Sequence, residues 1–181
     1  MEIQKETLKT LSIVIRYAIL LIVGSFNLII FYKIFTPLTI YPTYFLFNAF
    51  FPNSLIVGET IYFKTIALLI APSCVAGSAY FLLTILNLTT PMSFLKRILS
   101  LAFSYIIFLT ANILRIFIFA LFFIWSFSVY KFTHFIFWYI ISTIIVFFSW
   151  YFTIKFFSVE KIPFYSDFKF LHSLSKKKSK H

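Results

Sequence analysis

Apolar runs fill most of the chain, separated by short polar or proline-bearing breaks. The first run, Leu11 to Tyr32, is 22 residues long and is not followed by the small-residue cleavage site of a signal peptide. It predicts an uncleaved span. Arg16, near its start, can snorkel to the headgroups, and Asn27, toward its other end, is suited to hydrogen-bonding another helix. Pro37, Pro42 and Pro52 then fall within a stretch rich in Phe and Tyr between Lys33 and Phe63. Three prolines so close together argue against one straight helix. The aromatic density predicts an interfacial region, read either as simple apolar cover or as a cap that shapes a substrate cleft.

Thr65 to Leu88 forms the next run, interrupted by Pro72 and rich in small residues from Ala71 to Ala79. Small residues permit close helix contact. They also permit a helix break just before Cys74 and the close approach of another element at Gly77. The spanning part is placed at Val75 to Thr90, with a single bent helix over the whole run as the alternative. After the connection TTPMSFLKR, the sequence from Ile98 to Tyr130 is almost wholly apolar. As one helix it would reach ~50 Å, against a hydrocarbon core of ~30 Å. A span ending near Arg115 to Ala120 is therefore expected, with the remainder tilted, kinked or surface-lying. The last span runs from Thr133 or His134 to Phe152.

These elements predict an all-α polytopic membrane protein. About four transmembrane helices are expected, with an aromatic, proline-broken interfacial region and room for one or two re-entrant or surface helices. Residues 1–158 form a single integral-membrane domain, and 159–181 a polar, basic cytoplasmic tail. Composition agrees: 61% of the 181 residues are hydrophobic and 12% are charged, whereas soluble domains carry ~25% charged residues. The same numbers exclude a disordered chain, and a single Cys excludes a disulfide-stapled domain.

The net charge of +11 is unevenly placed. Twelve of the 16 Lys and Arg residues lie before or at Arg16, in the middle connection, or from Lys155 onward; Lys33, Lys64, Arg115 and Lys131 are the other four. This bias places both termini in the cytoplasm and Cys74, Arg115 and His134 toward the outer face. It makes anionic inner-leaflet lipids the partner of the basic tail, and no nucleic acid is expected, since no recognition motif accompanies the charge.

Three residues carry candidate chemistry. Arg115 interrupts an apolar run, where an unpaired cation costs on the order of 2.5–3.5 kcal/mol. It either snorkels outward or forms a positioned cationic site with Asn112, three residues earlier on the same helical face. Cys74 is either a buried, inert small hydrophobe or a nucleophile in the first turn of a helix, where free N–H groups and a nearby guanidinium stabilise a thiolate. His134 is either an interfacial residue or a general base and acid. His172 and His181 lie in the tail and have no assigned role. No metal site or cofactor is expected, because carboxylate or further His partners are lacking. Together the trio supports acyl transfer through a thioester, with Cys74 attacking a peptide carbonyl, Arg115 balancing negative charge and His134 moving the proton.

The order Cys74 and Gly77 in APSCVAG, Asn112 and Arg115 in NILR, and His134 in THFIFW resembles the exosortase/archaeosortase family of integral-membrane cysteine transpeptidases. The resemblance covers Thr65 to Tyr151 and suggests a compact, archaeal-type member. Family members more often read Cys-Ser-Gly where this chain has Cys-Val-Ala-Gly. The resemblance implies a multi-pass cell-membrane enzyme that processes exported proteins bearing a C-terminal motif, one transmembrane helix and a basic cluster. It also implies transfer of the new carboxyl end to a lipid or cell-surface acceptor, with Cys74, Arg115 and His134 catalytic and Asn112 and Gly77 supporting. Two other readings stand beside it: a non-enzymatic membrane helper or small transport subunit, and a membrane cysteine protease that uses water as acceptor.

Overall fold

A computed structural model describes residues 2–25, 28–125, 136–159, 165, 168–170 and 172. Helix α1 (Glu2–Ser25) is followed by α2 (Ile29–Phe50), and Leu28 between them adopts a left-handed backbone (φ 58°). A left-handed residue cannot continue a right-handed helix, so the run expected as a span over Leu11–Tyr32 is divided between two helices rather than forming one continuous helix. Arg16 also departs from expectation. It is 7% exposed, and its Nη1 donates to the Leu88 carbonyl at 2.9 Å instead of reaching outward.

Helix α2 runs through both Pro37 and Pro42, so these prolines do not break it as expected. Each removes one backbone donor. The loss is offset by the packing of one side of the helix, where Phe31, Phe35, Thr39, Ile40, Thr43 and Phe47 are all buried. Phe35 stacks on Tyr80 with ring centroids 3.5 Å apart, and Tyr80 meets Phe108 edge-on at 4.8 Å. Pro52 lies just beyond the helix, within a turn.

The all-α expectation is corrected by a small antiparallel sheet of order β1-β2-β3: β1 (Leu55–Val57), β2 (Thr60–Phe63) and β3 (Ile66–Leu69). Val57 pairs with Thr60 across Gly58–Glu59, and Phe63 with Ile66 across Lys64–Thr65. The first loop position has positive φ in both hairpins, Gly58 at 59° and Lys64 at 50°, a conformation that two-residue hairpins demand. Phe63 carries the sheet onto the bundle, 4.4 Å from Phe47 between ring centroids, and Phe47 in turn meets Phe117 at 5.0 Å.

The remaining helices are α3 (Pro72–Val75), α4 (Gly77–Leu88), α5 (Phe94–Trp125) and α6 (Ser142–Phe156), the last continuing from a π-helical stretch, Ile136–Ile141. Pro72 occupies the first turn of α3, where its missing N–H costs nothing. Helix α5 does not stop near Arg115. Its 32 residues extend to Trp125, ~48 Å at 1.5 Å per residue. Helix α6 packs along α5, with Phe103 and Phe156 stacked at 4.7 Å.

Among the described residues, α5 alone is long and apolar enough to cross a membrane, with α1 and α2 together making a second candidate if that bent pair counts as one span. The segments Pro72–Leu88 and Ser142–Phe156 are apolar but shorter. Among the described residues the four spans expected from sequence are therefore not supported; the fold is mostly helical, with one helix of spanning length, a bent pair as a second candidate span, and a small sheet.

Candidate functional site

The site is built around the junction of α3 and α4. Ala76 has a left-handed backbone (φ 59°, ψ 47°) and separates the two helices. For a residue with a Cβ this conformation costs roughly 1–2 kcal/mol, so the surrounding packing has to hold it. Gly77 follows, and the ring of Tyr32 lies against it so closely that a Cβ there would sit 2.8 Å from Tyr32 Cζ. The close approach expected at Gly77 is thus present, and α2 supplies it.

The break leaves the Cys74 carbonyl at the end of α3, and α5 supplies its partners. Asn112, 1% exposed, donates from Nδ2 to this oxygen at 2.9 Å. Arg115 donates from Nη2 to the same oxygen at 3.4 Å, and from Nη1 to the hydroxyl of Ser142 on α6. Asn112 and Arg115 share one helical face, as their spacing predicts. A guanidinium has five N–H donors; these bonds fix its plane between three helices, with donors left for another ligand. Its charge also acts on Cys74 electrostatically.

The helix-start role expected for Cys74 takes a different form. Its own N–H donates to the Ala71 carbonyl at 2.8 Å, and that of Val75 to the same oxygen at 3.3 Å. These donors belong to the turn, and a helix of four residues has a negligible dipole. Burial works against a thiolate here; what favours one is the Arg115 charge, with smaller help from hydrogen bonds at Ala71 and Ser73.

Beside the junction lies a cleft of about 590 Å³ between α2, α4, α5 and α6. Its polar end is formed by Arg115, Ser142, Thr143, Ser73 and Ser78, and its apolar end by Leu86, Val146 and Trp150. Ser73 and Ala76 line it, whereas Cys74, half-buried, packs against the hydrophobic core between them. Ser142 carries no signal of its own in the sequence. A serine inside an apolar helix carries little information, because its hydroxyl can be satisfied by its own helix.

Cys74, Gly77, Asn112 and Arg115, drawn from two separate sequence motifs, therefore meet at one place. His134 and Asn27 lie outside the described residues. No group of three His, Cys, Asp or Glu side chains able to hold a metal ion occurs among the described residues. No protein-family profile, curated protein or solved structure matches the chain.

Proposed function

We propose that the chain is a membrane-embedded cysteine transpeptidase that cleaves exported proteins near a C-terminal membrane anchor. In this reading Cys74 is the nucleophile, Arg115 the cationic stabiliser and His134 the proton carrier, with the site at the outer face of the cell membrane. The observation that carries the reading is the convergence of Asn112 and Arg115 on the Cys74 backbone at the polar end of a cleft.

Exposed apolar side chains support the membrane setting. They occur on α1 (Leu11, Ile22), α2 (Ile34, Phe45), α5 (Ile106, Phe122) and α6 (Phe147, Phe152), and no single protein partner would cover so many separate faces. The ends of the bundle also differ in charge. Arg16 reaches Leu88, Arg97 reaches Thr90 and Lys96 reaches Ser158, all through backbone carbonyls, so three basic segments gather at one end. Arg115 lies ~28 Å along α5 from Lys96, close to one hydrocarbon thickness away. With the basic end cytoplasmic, the cleft's polar end falls at the outer boundary.

The Cys74 side chain turns from the core, against which it packs, into the neighbouring cleft between Ser73 and Ala76; its Sγ then attacks the scissile carbonyl while His134 accepts the thiol proton. The tetrahedral oxyanion forms beside the Arg115 guanidinium. Collapse breaks the C–N bond, His134 returns the proton to the leaving amine, and a thioester remains on Cys74. An incoming nucleophile, deprotonated by His134, then releases the thioester and regenerates the thiol. Membrane anchoring of the substrate lowers the entropy cost of encounter.

The direct test co-expresses the chain with an exported protein carrying a motif, one hydrophobic helix and a basic cluster. Cys74→Ala is expected to abolish processing while membrane insertion and protein level are kept, and processing at the native rate would reject the nucleophile assignment. Product mass separates transfer from hydrolysis.

A further inference from the structure

We infer that the outward face of the β1–β3 sheet is seated in the outer lipid interface and sets the depth of Cys74; this rests on the membrane setting proposed above. The pairing register places Leu55, Tyr62 and Ala67 in one row and Val57, Thr60 and Leu69 in the next, all on one face. Leu55 and Val57 are each 65% exposed, Leu69 59% and Tyr62 44%. The opposite face carries Ile56, Ile61, Phe63, Ile66 and Leu68, with Ile61 and Phe63 fully buried. An antiparallel sheet with one face in water shows alternation of apolar and polar residues. This one is apolar on its inward face and, Thr60 apart, on its outward face as well.

Lipid is the occupant that the surroundings favour. Phe50, Phe45, Tyr41 and Leu38 of α2 are exposed as well, so apolar exposure is not confined to the sheet as it would be at a bounded docking spot. Charge stands at the hairpin loops, with Glu59 in one and Lys64 in the other, and Lys64 Nζ lies 4.8 Å from the Phe51 ring centroid. Tyr beside Lys is the composition of a membrane boundary.

Depth is bracketed from both sides. Burying the exposed face draws the sheet inward. No further strand extends β1 or β3 among the described residues, and backbone groups at a free strand edge are not tolerated in hydrocarbon. The sheet thus rests among the headgroups and the first methylenes, ~5–10 Å deep as an interfacial helix would. Strand β3 ends at Leu69 and α3 begins at Pro72, so this raft holds Cys74 at the same boundary.

The test uses spin labels on the full chain in phosphatidylcholine–phosphatidylglycerol liposomes, with Cys74→Ala, and separately Cys74→Ser, removing the native thiol. Single cysteines are introduced as Val57→Cys, Leu69→Cys, Glu59→Cys and Ile106→Cys. Labels at Val57 and Leu69 are expected to collide with oxygen severalfold more, relative to aqueous nickel chelate, than the label at Glu59, and less so than the label at Ile106 on α5. If Val57 and Leu69 match Glu59 while Ile106 reads hydrocarbon, the sheet faces water and the inference is overturned with the membrane setting intact. If Val57 and Leu69 are shielded from both reagents, a protein surface covers them and the inference is equally overturned. If Ile106 itself reads water, the membrane setting fails.

Discussion

The segment α3–α4 is held at both ends by arginines that bond to backbone carbonyls, and the two ends obey different physics. At its C-terminal end, Arg16 takes the Leu88 carbonyl and Arg97 the Thr90 carbonyl. The last carbonyls of a helix lack intrahelical partners and carry the negative end of its dipole, so a guanidinium there both completes hydrogen bonds and is favoured electrostatically. Arg16 has sufficient reason to be present as a cap on the last residue of α4, and Arg97 ties down the turn that follows it. At the opposite end, Arg115 approaches the start of α4, where the same dipole disfavours a cation. The Cys74 carbonyl already receives a 2.9 Å bond from Asn112, and the Arg115 bond to it is longer, at 3.4 Å. That carbonyl therefore does not require Arg115, and the role proposed for it toward a substrate in the cleft would account for a charge held there.

That contrast can be broken most sharply at Arg115. Arg115→Lys keeps the charge but replaces the planar fork that spans Cys74 and Ser142 with a single point donor. We expect processing of the co-expressed substrate to fall by about 100-fold, the size of losing one oxyanion donor, with unchanged membrane insertion. Near-native turnover would make Arg115 a simple counter-charge. A smaller effect is expected from Gly77→Ala, whose added Cβ meets the Tyr32 ring. The α3–α4 junction should shift and activity drop about tenfold, since small misplacements near a reacting centre are costly. Adding Tyr32→Leu should restore part of that loss, and absence of any rescue would remove the Tyr32–Gly77 contact from the account of the site. The smallest effect on turnover is expected at the other end. Arg16→Met should lower unfolding stability by about 1–3 kcal/mol by leaving the part-buried Leu88 carbonyl unmet, measured as earlier thermal aggregation in detergent. Processing per folded molecule should be unchanged; a selective loss of turnover would erase the distinction between the two ends.

Much of the site was legible because its constraints are local and few. A small-residue turn followed by Gly77 signals a close approach, and an Asn and an Arg three residues apart must share a helix face. The structure places all of these around Cys74. Other features left no usable pattern. Thr60 apart, the β1–β3 sheet is apolar on both faces, so the period-two alternation that would announce strands is absent. Helix α2 keeps Pro37 and Pro42 because tertiary packing of Phe35, Ile40 and Phe47 outweighs the lost backbone bonds. Helix α5 continues past Arg115 because that residue finds acceptors within the bundle, so its charge does not mark a membrane boundary by ending the helix. Arg16 likewise turned inward, since the free carbonyl of Leu88 comes from a helix distant in sequence. Such long-range acceptors leave no trace in the local pattern around an arginine.

The acyl-transfer reading requires the imidazole of His134 to reach the thiol, and cross-linking measures this most directly. With His134→Cys introduced in the otherwise native chain, mild oxidation in membranes should join Cys74 to position 134, because a disulfide forms where Cα atoms approach within about 7 Å. Mass spectrometry of the linked peptides, at high yield and within minutes, is the expected result. Failure to link under conditions that oxidise both thiols singly, together with a spin-label separation far beyond that reach, would contradict it.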